Sequence, residues 1–264
     1  MIAPSTDAIG IETVETLAEL GFDYVELSLS DLAALPESAF TALARRVERS
    51  GIVCEACNNF FPRRIRLTGM EAGLQSALGY AETALDRAAR LGARIVVFGS
   101  AAAKNVPEGF PRDTAWRQIT DLLGKLSPIA AQREITIVVE PINRQESNIV
   151  NLAAEGLQIV RAVHHPNIQL LIDFYHLALE RENPDIVLEA GTAIRHLHFA
   201  GIEGRRFPAE LTPADAQFFQ RIRQVHYADR CSIEAFTQDF PADAHRALGL
   251  LRSIQQETLD EKGS

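Results

Sequence analysis

Seven short apolar runs, rich in β-branched residues, recur along this chain and are separated by stretches with helical periodicity. They are 23–28, 52–57, 93–99, 135–140, 168–173, 195–199 and 232–236. Near-continuous apolar character is what a strand buried on both faces requires, and such strands belong to parallel sheets covered by helices. Between them, Ile11, Val14, Leu17 and Leu20 recur at helical spacing, with Gly21 as the stop. Thr68 and Glu71 have the spacing of a capping box for a helix running to about Leu91. Asn183-Pro184 and Thr212-Pro213 each place a capping residue before a proline. Further helices are expected near 38–49, 112–131, 151–163 and 241–256.

This alternation, over 264 residues, predicts an α/β fold: a single (β/α)8 TIM barrel across 1–264, with a short or truncated first strand. Met1 to Ala3 is the segment left to supply that strand. No linker, internal repeat or low-complexity stretch divides the chain, and the tail from about Thr258 is polar.

Charge and composition narrow the function. A formal net charge of -9 argues against general affinity for nucleic acid or anionic membrane, where Lys and Arg must neutralise phosphate. No apolar run approaches the roughly 20 residues of a membrane span, and the first residues lack the pattern of a secretory leader. The expectation is a cytoplasmic protein. Of three cysteines, Cys54 and Cys57 have C-x-x-C spacing. In a regular strand an odd separation places them on opposite faces, so they are read as packing residues rather than a metal or redox pair.

Four ionisable residues stand at the carboxyl ends of successive strands, where a (β/α)8 barrel places its chemistry. They are Glu140, Asp173, His198 and Glu234, separated by 33, 25 and 36 residues, each close to one βα unit. Each alone has an ordinary structural role open to it: a strand-end charge, a helix cap, a core histidine, an ion-pair partner. Together, three carboxylates and an imidazole cannot crowd into one place without compensation, and a divalent cation supplies it. Mixed oxygen and nitrogen ligands favour Mn2+, with Mg2+, Co2+ or Zn2+ admissible. His196 lies on the same strand face as His198, and His198 is preferred because it is nearer the strand end.

Several stretches together resemble the xylose-isomerase-like barrels, in particular the sugar phosphate isomerase/epimerase group of the ketose 3-epimerases and hydroxypyruvate isomerase. They are Val139-Glu140-Pro141-Ile142-Asn143-Arg144, Ile172-Asp173-Phe174-Tyr175-His176, His196-Leu197-His198, Ser232-Ile233-Glu234 and the strand Gly21 to Leu27. The resemblance implies that Glu140, Asp173, His198 and Glu234 are the metal ligands. It implies that Glu140 and Glu234 are also the acid and base of proton transfer through a metal-stabilised enediolate. It further implies that Glu146, His176 and either Arg205 or Arg206 bind a small sugar substrate, and that the chain is a homo-oligomer. The same barrel also hosts lyases of the inosose dehydratase kind, and a degenerate barrel can serve as a non-catalytic binding module. An endonuclease of the endonuclease IV type needs a three-zinc cluster and a basic face, which this composition lacks. Phe60, Phe61, Arg63, Arg64 and Arg66 follow a strand and form either a wall of the site or a surface loop, and 101–111 is a candidate lid.

Overall fold

The computed structural model describes residues 12–260. Seven parallel strands are hydrogen-bonded in chain order: β1 Tyr24–Ser28, β2 Val53–Asn58, β3 Ile95–Phe98, β4 Thr136–Val139, β5 Ile168–Asp173, β6 Ile194–Phe199 and β7 Arg230–Ile233. Helices connect them, the longest being Leu74–Leu91, Arg112–Ala131 and Phe240–Asp260. The sheet curls until Tyr24 Oη of β1 lies 2.7 Å from Ser232 Oγ of β7. This is the (β/α) barrel expected from the sequence. The segment assigned to its first strand, Met1 to Ala3, lies outside the described residues.

The two-residue period of the strands separates two cores. Val25, Leu27, Val96, Phe98, Ile137, Val139, Leu170, Ile172, Leu197, Phe199 and Ile233 point outward and pack against the helices. The alternate residues Val97, Val138 and Leu171 form a small separate cluster inside the curved sheet. Continuing the same inward period by two residues reaches Gly99, Glu140 and Asp173. The barrel thus has an apolar floor with a polar layer directly above it.

Three local expectations change. Register between β1 and β2 shifts at Val25/Glu26, where Glu55 is the extra residue. That bulge returns Cys54 and Cys57 to the same, helix-facing side, with their sulfurs 3.9 Å apart. Thr68 does not cap a helix: its hydroxyl donates to the carbonyls of Lys104 and Asn105, and the helix starts at Leu74 behind Gly73. Phe60 and Phe61 do not lie in an exposed surface loop but are buried, stacked on each other and against Tyr80 and Phe98. Thr212, by contrast, caps the helix Pro213–Gln224 in a reciprocal box with Asp215. Among the described residues no helix is long and apolar enough to cross a membrane.

Candidate metal centre

Parallel pairing brings the four expected ligands to one level. Asp173, the last residue of β5, is the register partner of His198 on β6, and His198 is the partner of Ser232 on β7. Glu234 follows Ser232 by two residues and so shares its face; its amide donates to Phe199 O at 3.1 Å, which extends the β6–β7 pairing by one bond. Glu140, just beyond β4, is held in the same way by a bond from its amide to Phe98 O at 3.2 Å. His198 is fully buried, and Glu140 and Asp173 nearly so. One donor atom from each of Glu140, Asp173, His198 and Glu234 lies within 4.8 Å of all the others. His198 Nδ1 is the focus, 2.9 Å from Glu234 Oε2 and 3.2 Å from Glu140 Oε1.

Asp173 combines two of the roles open to it. Its Oδ1 accepts the Tyr175 amide at 2.8 Å, capping the short helix Phe174–Leu179. Its Oδ2 faces the centre, 3.0 Å from Arg205 Nη2 and 3.5 Å from His176 Nε2. Arg205 is the arginine that enters the site. It bridges Asp173 and Glu234, the latter at 2.7 Å, approaches Glu146 at 3.8 Å and lies over the Tyr175 ring. A left-handed turn through Gly204 (φ 66) and Arg205 (φ 50) aims it there, while Arg206 is exposed and is not brought to the centre. Glu146 and His176 are joined through Asn143, whose amide nitrogen lies 2.9 Å from Glu146 Oε1 and 2.7 Å from His176 Nδ1.

The electrostatics are those of a site short of positive charge. Burial works against the Glu234 carboxylate, but His198 and Arg205 outweigh it and hold the group at about 2. Burial prevails at Asp173 and raises it, despite His176, Arg205 and His198. Burial likewise opposes the charge on His198, yet Glu26 and Glu234 push it well above its ordinary value. Four carboxylates, Glu26, Glu140, Asp173 and Glu234, therefore share three cations: His198, Arg205 and the Lys104 ammonium behind Glu140. The net negative charge, the uncompensated burial of Asp173 and the convergence of oxygen and imidazole donors fit a divalent cation at this place.

Four participants were not singled out from sequence. Glu26, at the middle of β1, is fully buried against His196 and His198. An acidic residue on the inward face of an apolar strand was the available signal. Asn58 donates to Glu234 Oε1 at 3.4 Å, and its own Oδ1 is buried with no partner in the protein. Lys104 is fully buried, its ammonium bonded to Gly99 O and 3.5 Å from Glu140 O. Nothing in Ala-Ala-Ala-Lys marks that lysine as interior. Asn143 lies inside the motif after β4 but carried no assignment. The segment 101–111 is tied to the loop after β4, with Asn105 accepting from Ser147 and Asn148, and Val106 bonded both ways to Asn148. Arg66 is committed to the carbonyls of Ala102 and Asn105.

A family model described as "Xylose isomerase-like TIM barrel" matches residues 14–254. The chain belongs to this family. Among the relatives of this xylose isomerase-like barrel is the D-psicose 3-epimerase of Agrobacterium fabrum, 24% identical over 232 residues, which are 85% of this chain and 78% of the relative. Another is the L-ribulose 3-epimerase of Mesorhizobium japonicum, 28% identical over 232 residues, 86% of this chain and 75% of the relative. A crystal structure of D-psicose 3-epimerase in the presence of D-fructose matches the fold with a TM-score of 0.83, over 92% of this chain and 93% of that one, at 19% identity.

Proposed function

We propose that this barrel is a divalent-metal-dependent isomerase that moves a proton on a small sugar carbonyl compound, as an epimerase or an aldose–ketose isomerase. The observation that carries the proposal is the convergence of Glu140 and Glu234 on His198 Nδ1, at 3.2 and 2.9 Å. Two carboxylates that share one cation position can address the two faces of a substrate held there. The epimerase names of the relatives support the same class.

Glu140, Asp173, His198 and Glu234 would hold the cation, with Mn2+ the first expectation for this donor set. When bound, such an ion polarises a carbonyl and offsets negative charge at its oxygen. One glutamate removes the proton from the carbon beside the carbonyl, and the electron pair moves onto the carbonyl oxygen as an enediolate. If the other glutamate enters the cycle protonated, it gives its proton to the opposite face and the epimer results, the two glutamates exchanging protonation states. If the first glutamate returns its proton to the former carbonyl carbon while the hydroxyl proton passes between the two oxygens, the isomer results. Arg205, His176 and Glu146 border the same space and would hold substrate oxygens. Arg205 also keeps a fixed positive charge beside the carboxylates through the cycle.

The test is metal content followed by incubation with Mn2+ and a panel of ketoses in D2O. Expected are one bound divalent ion and exchange of C–H for C–D beside the carbonyl, abolished by EDTA and by Glu140→Gln. A product lighter by one water would turn the assignment to a lyase. Protein that binds no metal and exchanges no proton would turn it to a binding module.

A further inference from the structure

We propose that Glu26 is the positioning residue of the metal centre: it holds His198 with Nε2 protonated, so that Nδ1 is the atom offered to the cation. The proposal rests on the metal-centre reading above. It adds a residue on the far side of the ligand histidine, 172 positions away in the chain.

Glu26 is fully buried on the inward face of β1, behind the His198 ring. Its Oε1 lies 3.1 Å from His198 Nε2, and its Oε2 lies 2.9 Å from His196 Nε2 and 2.5 Å from Ser232 Oγ. Ser232 Oγ in turn lies 2.7 Å from Tyr24 Oη. The protons of this group can be assigned by counting. An ionised carboxylate only accepts, so all three of its contacts must be donors. Ser232 gives its hydroxyl proton to Glu26 and therefore accepts from Tyr24. His196 and His198 each give the proton on Nε2. In the metal-free protein His198 carries a proton on each ring nitrogen; with Glu26 keeping the one on Nε2, a cation bound at Nδ1 would take the place of the other. Nδ1 is the nitrogen that faces Glu140 and Glu234. A charged acceptor behind the ring also strengthens the imidazole as a donor to a cation.

Glu26, His196 and His198 have donor atoms close enough to hold an ion of their own. The proton count argues against it. Both rings turn Nε2 to Glu26, whose carboxylate also accepts from Ser232, and an ion there would have to displace the two ring protons that Glu26 holds. The layer is a hydrogen-bonded floor under the metal centre. Its acceptor must be a carboxylate: an amide has one accepting oxygen and one donating nitrogen, and cannot accept from both rings. In Glu26→Gln one ring must reverse its tautomer or lose its partner.

The experiment compares the full-length protein with Glu26→Gln and Glu26→Asp by calorimetric Mn2+ titration, alongside 15N spectra of histidine-labelled, metal-free protein. Expected is one Mn2+ per wild-type chain, with affinity roughly 10- to 100-fold weaker in Glu26→Gln and partly restored in Glu26→Asp, which keeps two acceptors. The wild-type spectrum should show a solvent-protected proton on His198 Nε2 that Glu26→Gln weakens or loses. Mn2+ affinity in Glu26→Gln within twofold of wild type, or a wild-type His198 without a proton on Nε2, overturns the proposal. If Glu26→Gln fails to fold, the wild-type spectrum alone decides. If the wild type binds no Mn2+ yet shows the protected Nε2 proton, the metal reading fails while Glu26 still positions the ring.

Discussion

Gly99, the residue after β3, stands directly against the carboxylate of Glu140: a Cβ on Gly99 would overlap Oε2 and lie 3.2 Å from Cδ. The close approach, rather than an unusual backbone angle, is what requires glycine here. The atom it would displace is the end of a side chain, so the fold can absorb the substitution and the ligand cannot. Gly99→Ala should bind Mn2+ about tenfold more weakly, or worse, with turnover reduced at least in proportion and the melting temperature changed by only a few degrees. Calorimetry and thermal melts on one preparation check both halves; unchanged metal affinity would place Glu140 outside the ligand set.

Asn143 joins the two residues assigned to substrate oxygens. With its amide N–H at 2.7 Å from His176 Nδ1, it leaves the His176 proton on Nε2, turned toward the centre. Asn143→Leu has nearly the same volume and removes that donor. We expect kcat/KM to fall about 10- to 100-fold, or about 1–3 kcal/mol, while Mn2+ affinity stays within about twofold, the opposite pattern to Glu26→Gln. Steady-state kinetics beside metal titration separates them, and a parallel loss of metal affinity would refute the division of labour.

Lys104 makes stability depend on alkaline pH. Burial lowers its ammonium to about 8, against the opposing pull of Glu140 and Glu146. The unfolded chain holds the same proton until about 10.5. Between these values the unfolded state binds more protons than the folded one, so this group's contribution rises as pH rises. The difference in unfolding free energy between wild type and Lys104→Met should therefore move by about 3 kcal/mol in favour of wild type from pH 8 to 10.5. Denaturant titrations of both proteins across that range provide the check, and a flat difference would show that burial does not lower the Lys104 ammonium below its unfolded value.

Much of the architecture was readable because it depends on short-range periodicity. Apolar runs of strand length alternating with amphipathic stretches are a local pattern, and parallel pairing in chain order follows from it. The positions of Glu140, Asp173, His198 and Glu234 were readable for a related reason: each closes a strand, and in this fold the strand ends meet. Arg205 and Arg206 could not be separated, because a single left-handed turn decides which of two adjacent side chains enters the site. The C-x-x-C pair was misplaced because one bulge residue, Glu55, inverts the alternation on which the expectation rested. Thr68 matched a capping pattern, yet its hydroxyl is taken by carbonyls 36 and 37 residues away.

The sequence by itself determined the strand and helix alternation and the four ionisable residues at the carboxyl ends of the strands, since both follow from side-chain chemistry read at local spacing. Tertiary structure alone decided what stands behind those residues. Glu26 meets His198 across the barrel, Lys104 is drawn under Glu140, and Asn143 links Glu146 to His176. Apart from the three-residue step from Asn143 to Glu146, no local pattern encodes these contacts, because they arise where a closing sheet brings distant segments within hydrogen-bond reach and burial makes each unpaired polar group costly.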